Sequence, residues 1–179
     1  MTDLININNS NDPSFRYKIH KINISLTGKG NGCFTHLDNI KIIAKEINHN
    51  PLTITKYIGY VLGAKINEDK LWIQGHHKID NIQKAIFDFI KTFVLCQKCS
   101  VPELQYDISQ IKKHILIKTH CLGCGHDDCI DSNILNKSNK KIFDKIITDI
   151  QNNLFNNKSN TSKLEDNNDF ILDTNQDFL

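Results

Sequence analysis

The side chains of this sequence best suited to chemistry are its cysteines, and four of the six fall into a pattern. Cys96 and Cys99 stand two residues apart, 21 residues follow, and Cys121 and Cys124 repeat the spacing. A Cys-x-x-Cys pair folds a tight knuckle that presents two thiolates to one side, and two such pairs are a strong zinc signal. Four thiolates close a tetrahedral shell and leave no open position. A zinc ion held by Cys96, Cys99, Cys121 and Cys124 is therefore expected to be structural, not catalytic. Gly123 and Gly125 flank the second pair, where a knuckle needs residues that tolerate positive φ. Cys33 and Cys129 read as plain semi-buried thiols. His114, His120 and His126 are possible substitute ligands that a complete cysteine shell does not need, and the His76-His77 pair reads as a surface or capping contact.

A second candidate is Arg16, within Phe15-Arg16-Tyr17-Lys18. An arginine between two aromatics and beside a lysine suits a phosphate partner, because its planar fork and permanent charge match phosphate oxygens. On composition alone it reads as a solvated basic patch leading into the first strand. Gly28-Lys29-Gly30-Asn31-Gly32 holds three glycines in five residues, which marks a turn or a loop closely approached by something else. It is not a phosphate-binding P-loop, since the ending in Lys-Ser/Thr is absent.

The elements that position these residues are legible in part. Residues 1–14 are polar, Asn-rich and contain Pro13, and read as a flexible arm. Ile22, Ile24 and Leu26 alternate with polar residues as a half-buried strand, and Phe34 to Leu37 returns as its hairpin partner. Asp38 is placed to cap a helix with Ile40, Ile43, Ala44 and Ile47 on one face, ended by His49-Asn50-Pro51. Ile54 to Leu62 is rich in β-formers and reads as a strand, with a turn at Asn67 to Lys70 and a return over Leu71 to Gln74. Trp72 is expected to be partly buried, because Leu71 and Ile73 compete for the opposite face. Asp80 and Gln83 have capping-box spacing ahead of the clearest helix, striped by Ile82, Ala85, Ile86, Phe89, Ile90 and Phe93. The predicted fold class is α+β: two hairpins and two helices over residues 15–93, with both helices on one face of one sheet. A C4 zinc ribbon follows over 94–135, with Tyr106 to Ile108 pairing Ile115 to Lys118. Ile142, Phe143, Ile146, Ile147, Ile150 and Leu154 mark a helix within 136–156, capped by Ser138 or Asn139, that packs on the body or offers a groove to a partner. Residues 157–179 read as a disordered acidic tail; its alternating acid and apolar residues are compatible with a short linear motif, with a plain solvating tail the favoured reading.

Bulk properties bound the rest. The 179 residues are 39% hydrophobic and 23% charged, with a net charge of +2, too small to prove a nucleic-acid partner by itself. Asn, Ile and Lys are over-used, as in AT-rich coding sequences. No apolar run reaches membrane-spanning length and no signal peptide opens the chain, so a reducing, cytoplasmic setting is expected, which favours zinc over disulfides.

Taken together, several blocks resemble the N-terminal domain of eukaryotic translation initiation factor 5. They are Phe15-Arg16-Tyr17-Lys18, Gly28-Lys29-Gly30-Asn31-Gly32, Thr55-Lys56-Tyr57-Ile58-Gly59 with Leu62-Gly63-Ala64, Gln74-Gly75-His76-His77, Asp88-Phe89-Ile90-Lys91 with Phe93-Val94-Leu95-Cys96, and Cys121-Leu122-Gly123-Cys124-Gly125. The resemblance covers roughly residues 14–135. The beta subunit of initiation factor 2 shares the later blocks and the ribbon, but lacks the Phe-Arg-Tyr-Lys arm and the Gly-Lys-Gly-Asn-Gly hairpin. The resemblance implies an α/β domain similar to initiation factor 1, then a C4 zinc ribbon. It also implies a GTPase-activating protein for initiation factor 2 at start-codon selection, with no complete active site of its own. GTP and Mg would enter only through the partner GTPase. The family's arginine finger falls on Arg16, and an arginine supplied in trans stabilises charge developing on the γ-phosphate. Lys18 and Lys56 match basic positions used near the partner GTPase or initiator tRNA, and Lys29 and Asn31 of the hairpin join them as candidate binding residues. The implied partners are the gamma and beta subunits of initiation factor 2, the small ribosomal subunit and initiator tRNA, with this chain a monomer.

Three departures qualify the implication. Phe34 stands where the family carries a basic residue after the hairpin glycines. Gly125-His126-Asp127-Asp128 stands where it carries Gly-Tyr-Arg-Gly, so a basic contact has become acidic. The family continues into a helical-repeat domain, and recruitment through it is expected to be missing here. These departures favour an alternative: a non-catalytic module that binds the ribosome or initiator tRNA and tunes start-codon recognition.

Overall fold

The computed structural model describes residues 3–161 apart from 112 and 113, and for Asn31, Ile111, His114 and residues 153–161 the backbone alone. The chain begins with β1 (Leu4–Asn6), antiparallel to β2 (Lys18–His20), with Leu4 opposite His20 and Asn6 opposite Lys18. Over residues 3–14 this corrects the flexible arm expected for 1–14, of which residues 1 and 2 lie outside the described residues. Ile7 is 3% exposed and joins the core. The Asn6 amide donates to the Ser10 and Asp12 carbonyls at 2.9 and 2.6 Å, which fastens the intervening loop. Three paired residues are too few to show as periodicity.

β3 (Ile24–Thr27) and β4 (Phe34–Leu37) form the expected first hairpin. Next, α1 (Ile40–Glu46) buries Ile40, Ile43 and Ala44, with Ile47 just beyond its end. Asp38 does not cap it: its carboxylate accepts from the Ser25 hydroxyl at 2.8 Å. Asn39 holds the cap position, and its side chain bridges the Asn23 N–H and the Lys21 carbonyl, each at 2.8 Å, tying the helix start to the link before β3.

The expected strand at Ile54 to Leu62 is instead a helix, α2 (Pro51–Leu62). Asn50 accepts from the Leu52 N–H at 2.9 Å, Pro51 occupies the first turn, and Gly63 closes the helix at φ 65°. Local capping chemistry outweighs the β preference of Ile54, Tyr57 and Ile58, whose spacing is also helical. His49-Asn50-Pro51 thus opens a second helix rather than merely ending the first. The second hairpin is β5 (Ile66–Asn67) with β6 (Trp72–Gln74), and β4 pairs β6 to give one antiparallel sheet in the order β3-β4-β6-β5. Trp72 is half-buried between buried Leu71 and Ile73.

The long helix α3 (Ile79–Phe93) buries the whole predicted stripe, from Ile82 to Phe93. The capping box does not form. Lys78 holds the cap position, and the Gln83 side chain turns inward to accept from the Ile22 N–H at 2.9 Å.

The ribbon has three strands where two were expected: β7 (Leu104–Ile111), β8 (His114–Cys121) and β9 (Asp127–Asp131), in that order. The third strand is charged and mostly exposed, so no alternation announced it. Tyr106 donates to the Phe93 carbonyl at 2.6 Å, and Ile117 is fully buried with the main core. Finally α4 (Lys137–Thr161) is capped by Asn136, which accepts from the Asn139 N–H at 2.8 Å, not by Ser138 or Asn139. It packs on the body: Ile142, Phe143, Ile146, Ile147 and Ile150 are buried, and Thr53 of α2 donates to Asp149 at 2.5 Å. The helix runs through 157–161, where a disordered tail was expected, and the acid-apolar end of the chain lies outside the described residues.

Candidate functional site

Each Cys-x-x-Cys pair sits where a secondary-structure element ends. Cys96 follows α3, and its N–H bonds to the Val101 carbonyl at 3.0 Å to close the first knuckle. Cys121 ends β8, and Gly125, at φ 67°, returns its N–H to the Cys121 carbonyl at 2.8 Å to close the second. The four Sγ atoms lie within 4.8 Å of one another. Cys96 Sγ is 3.7 Å from Cys124 Sγ, and Cys99 Sγ is 3.6 Å from Cys121 Sγ. Metal–sulfur bonds of about 2.3 Å in tetrahedral geometry imply sulfurs about 3.8 Å apart, so the residues present fit one ion. Burial opposes ionisation of Cys99 and pushes its thiol up to about 12. Burial acts the same way on Cys96, where N–H donors from Cys99 and Lys98 prevail and bring the thiol down to about 6. A cation between the four sulfurs would offset the mutual repulsion of their thiolate forms. Of the two remaining cysteines, Cys33 is half-buried as expected, but Cys129 is exposed on β9. His120 is engaged with Asp127 at 2.6 Å rather than turned to the metal position.

Arg16 precedes β2 and is exposed. Its guanidinium lies 5.5 Å from the centroid of the Tyr17 ring, and among the described residues it makes no ion pair. Tyr17 itself is anchored: its hydroxyl donates to the Glu103 carboxylate, which pushes the phenol's pKa up. Glu103 belongs to the ribbon. Its carbonyl accepts from the Leu122 N–H at 2.9 Å, and its carboxylate lies beside Gly123, where an added Cβ would stand 3.1 Å from the Glu103 oxygen. The arginine is therefore fastened, through one neighbour, to the cysteine knuckle. Sequence reasoning missed Glu103, which lies 86 residues from Tyr17 and belongs to no pattern.

The other candidates sit apart. Lys18 lies on β2 and reaches the Pro13 carbonyl at 3.4 Å. Lys29 stands in the β3–β4 loop. There Gly28 adopts φ 82°, and a Cβ would fall 1.9 Å from the Gly32 carbonyl oxygen, so only glycine fits. Asn31 has a described backbone and its side chain lies outside the described residues, as does that of His114. Lys56, on α2, is paired with Glu68 at 2.9 Å. Among the described residues, no hydrogen bond or ion pair joins Lys29 or Lys56 to Arg16.

Residues 7–127 match the family model described as a domain found in initiation factors 2B and 5. The chain is 38% identical over 120 residues to eukaryotic translation initiation factor 5 of Caenorhabditis elegans, covering 65% of this chain and 27% of that protein. It is 36% identical over 124 residues to the probable eukaryotic translation initiation factor 5 of Schizosaccharomyces pombe, covering 67% and 31%. Against eukaryotic translation initiation factor 5 of Saccharomyces cerevisiae it is 35% identical over 126 residues, covering 68% and 30%. An α+β body carrying a four-cysteine ribbon is thus joined to a matching sequence over most of its length, and the chain belongs to the domain family shared by initiation factors 2B and 5. It spans between a quarter and a third of the length of these relatives.

Proposed function

We propose that this chain acts in translation initiation as a GTPase-activating factor for initiation factor 2, supplying Arg16 in trans at start-codon selection. The observation that carries the reading is the state of Arg16: exposed, free of carboxylate partners among the described residues, and fixed through Tyr17 to Glu103. An arginine offered to a partner's active site must not be spent on its own chain. It also works best when its segment is held in place before docking, so that little ordering remains to be done. In this reading the catalytic machinery, GTP and Mg belong to the partner, and this chain contributes the arginine. Lys18, Lys29 and Lys56 contribute basic contacts to initiation factor 2, initiator tRNA or the small ribosomal subunit. The cysteine set holds zinc, whose task is to fold the knuckles against which Glu103 is held. The setting is cytoplasmic and the chain a monomer; among the described residues no helix is long and apolar enough to cross a membrane.

A transition-state analogue tests the catalytic part. With initiation factor 2, GDP and aluminium fluoride, wild type should bind at least about tenfold more tightly than with GDP alone, and Arg16→Ala should lose that gain. Equal affinity in both states for wild type would instead support the non-catalytic binding module. That second reading is favoured by Phe34, which replaces a base with a ring packed 6.0 Å from Trp72.

A further inference from the structure

We propose that the outer face of the four-stranded sheet binds a segment of single-stranded RNA by stacking bases on Phe34, His36 and Trp72. The strand register divides the sheet into two faces. Leu37, Thr35 and Ile73 point inward to the core, all at most 5% exposed. Ser25 and Thr27 of β3, Phe34 and His36 of β4, and Trp72 and Gln74 of β6 share the other face, none of them buried. Three aromatic rings thus stand on the side turned away from the core. The His36 and Trp72 ring centroids are 3.8 Å apart and those of Phe34 and Trp72 6.0 Å apart, with planes inclined by 46° and 50°, so the rings form a contiguous, stepped aromatic cluster. Thr27 holds His36 through a 2.6 Å hydrogen bond to Nε2, which fixes the ring's orientation.

Charge selects the occupant. Lys70 places its ammonium 4.6 Å from the centre of the Trp72 ring. Lys70, Lys41, His36 and Trp72 line a pocket of about 250 Å³ at the edge of the cluster, and Lys29 stands in the loop at its Phe34 end. The carboxylate in that pocket, Asp38, is engaged by the Ser25 hydroxyl at 2.8 Å. Planar rings separated by small hydroxyl and amide groups, with lysines at the rim, make a surface for unpaired bases and their phosphates. An apolar protein partner would be met by exposed aliphatic side chains; the aliphatic residues of the edge pocket, Leu37, Ile40 and Leu71, are themselves at most 9% exposed. On binding, Lys70 exchanges the indole face for a phosphate and leaves the ring to a base.

Trp72 is the chain's single tryptophan, so the cluster carries its own reporter. Titrating the full chain with a ten-nucleotide oligouridine at low salt should quench Trp72 emission to saturation. Phe34→Leu keeps the apolar bulk and removes the ring, and should weaken binding about tenfold, as should His36→Ala. Lys41→Ala and Lys70→Ala should each flatten the dependence of affinity on salt by about 0.7 in the log–log slope. Arg16→Ala should bind oligouridine like wild type, so a failure here leaves the GTPase reading standing. Unchanged emission, or full RNA affinity in Phe34→Leu, would overturn the proposal. Loss of initiation factor 2 binding in Phe34→Leu with RNA affinity intact would overturn it too and make the face a protein-docking surface.

Discussion

Glu103 decides how firmly Arg16 is presented, because the hydroxyl of Tyr17 is the one tether between the arginine's segment and the ribbon that side-chain hydrogen bonding provides among the described residues. Glu103→Gln keeps the shape of that partner and removes its charge, weakening a charge-assisted bond. It should lower stimulation of GTP hydrolysis about tenfold while leaving the metal content, read by atomic absorption, at one ion per chain. Arg16→Lys should fail to restore activity, since an ammonium lacks the planar fork. A second contact, this one buried, is purely structural. Thr53→Val leaves the buried Asp149 with only its Lys145 partner at 3.1 Å, and should cost about 1–3 kcal/mol in urea unfolding. At this scale the sequence was readable where chemistry is written in spacing. The four cysteines stood out for that reason, whereas Arg16 reads as a solvated basic patch on composition and is singled out through the family resemblance. Glu103 and Asp149 did not stand out, because their partners lie 86 and 96 residues away and a lone acid carries no local signal.

Helix α2 shows how capping can overrule composition. Ile54, Tyr57 and Ile58 are β-formers, yet Asn50, Pro51 and Gly63 bracket them with start and stop signals that fix a helix. Asn50→Ala should lower stability by about 1 kcal/mol, and Gly63→Ala by a similar amount because of the left-handed backbone there. The joint between α1 and α2 also carries a pH dependence. His49 packs edge-on against Phe89 at 5.2 Å, and burial holds its pKa down to about 4 from 6.5, against a smaller opposing pull from Asp149. The unfolded chain takes up this proton near pH 6.5 and the folded chain only near 4. The native state is therefore favoured at neutral pH and loses up to about 3 kcal/mol as pH falls through that window. His49→Phe should flatten this part of the stability–pH curve, measured by urea unfolding between about pH 7 and 4.5. The helix stripe of α3 and the first hairpin were legible because their periods are long and clean. The pairing of β4 with β6, which assembles both hairpins into one sheet, has no trace in local sequence.

Across the whole molecule, the ribbon is fastened to the body at points that a linear division at residue 94 does not convey. Tyr106 bonds to the end of α3, Ile117 lies in the common core, and α4 returns to pack on α2. Metal removal should therefore act locally first. With a strong chelator, hydrogen exchange should speed up over the knuckles at 96–101 and 121–126 and over Phe15 to Tyr17, while α3 keeps its protection. Uniform loss of protection would show that the ion supports the entire fold. Coupling between the cysteine centre and Arg16 makes a second outcome readable, because chelation should then lower GTPase stimulation even where binding persists.

The central claim is that Arg16 completes a partner's active site, and the rate of that partner's chemistry tests it most directly. Single-turnover GTP hydrolysis by initiation factor 2 in ternary complex on small ribosomal subunits should be accelerated by wild type. Arg16→Ala should remove about a thousandfold or more of that acceleration while still binding the complex. Equal rates with wild type, with Arg16→Ala and without the chain, when both proteins bind, would contradict the account and leave a binding module in its place.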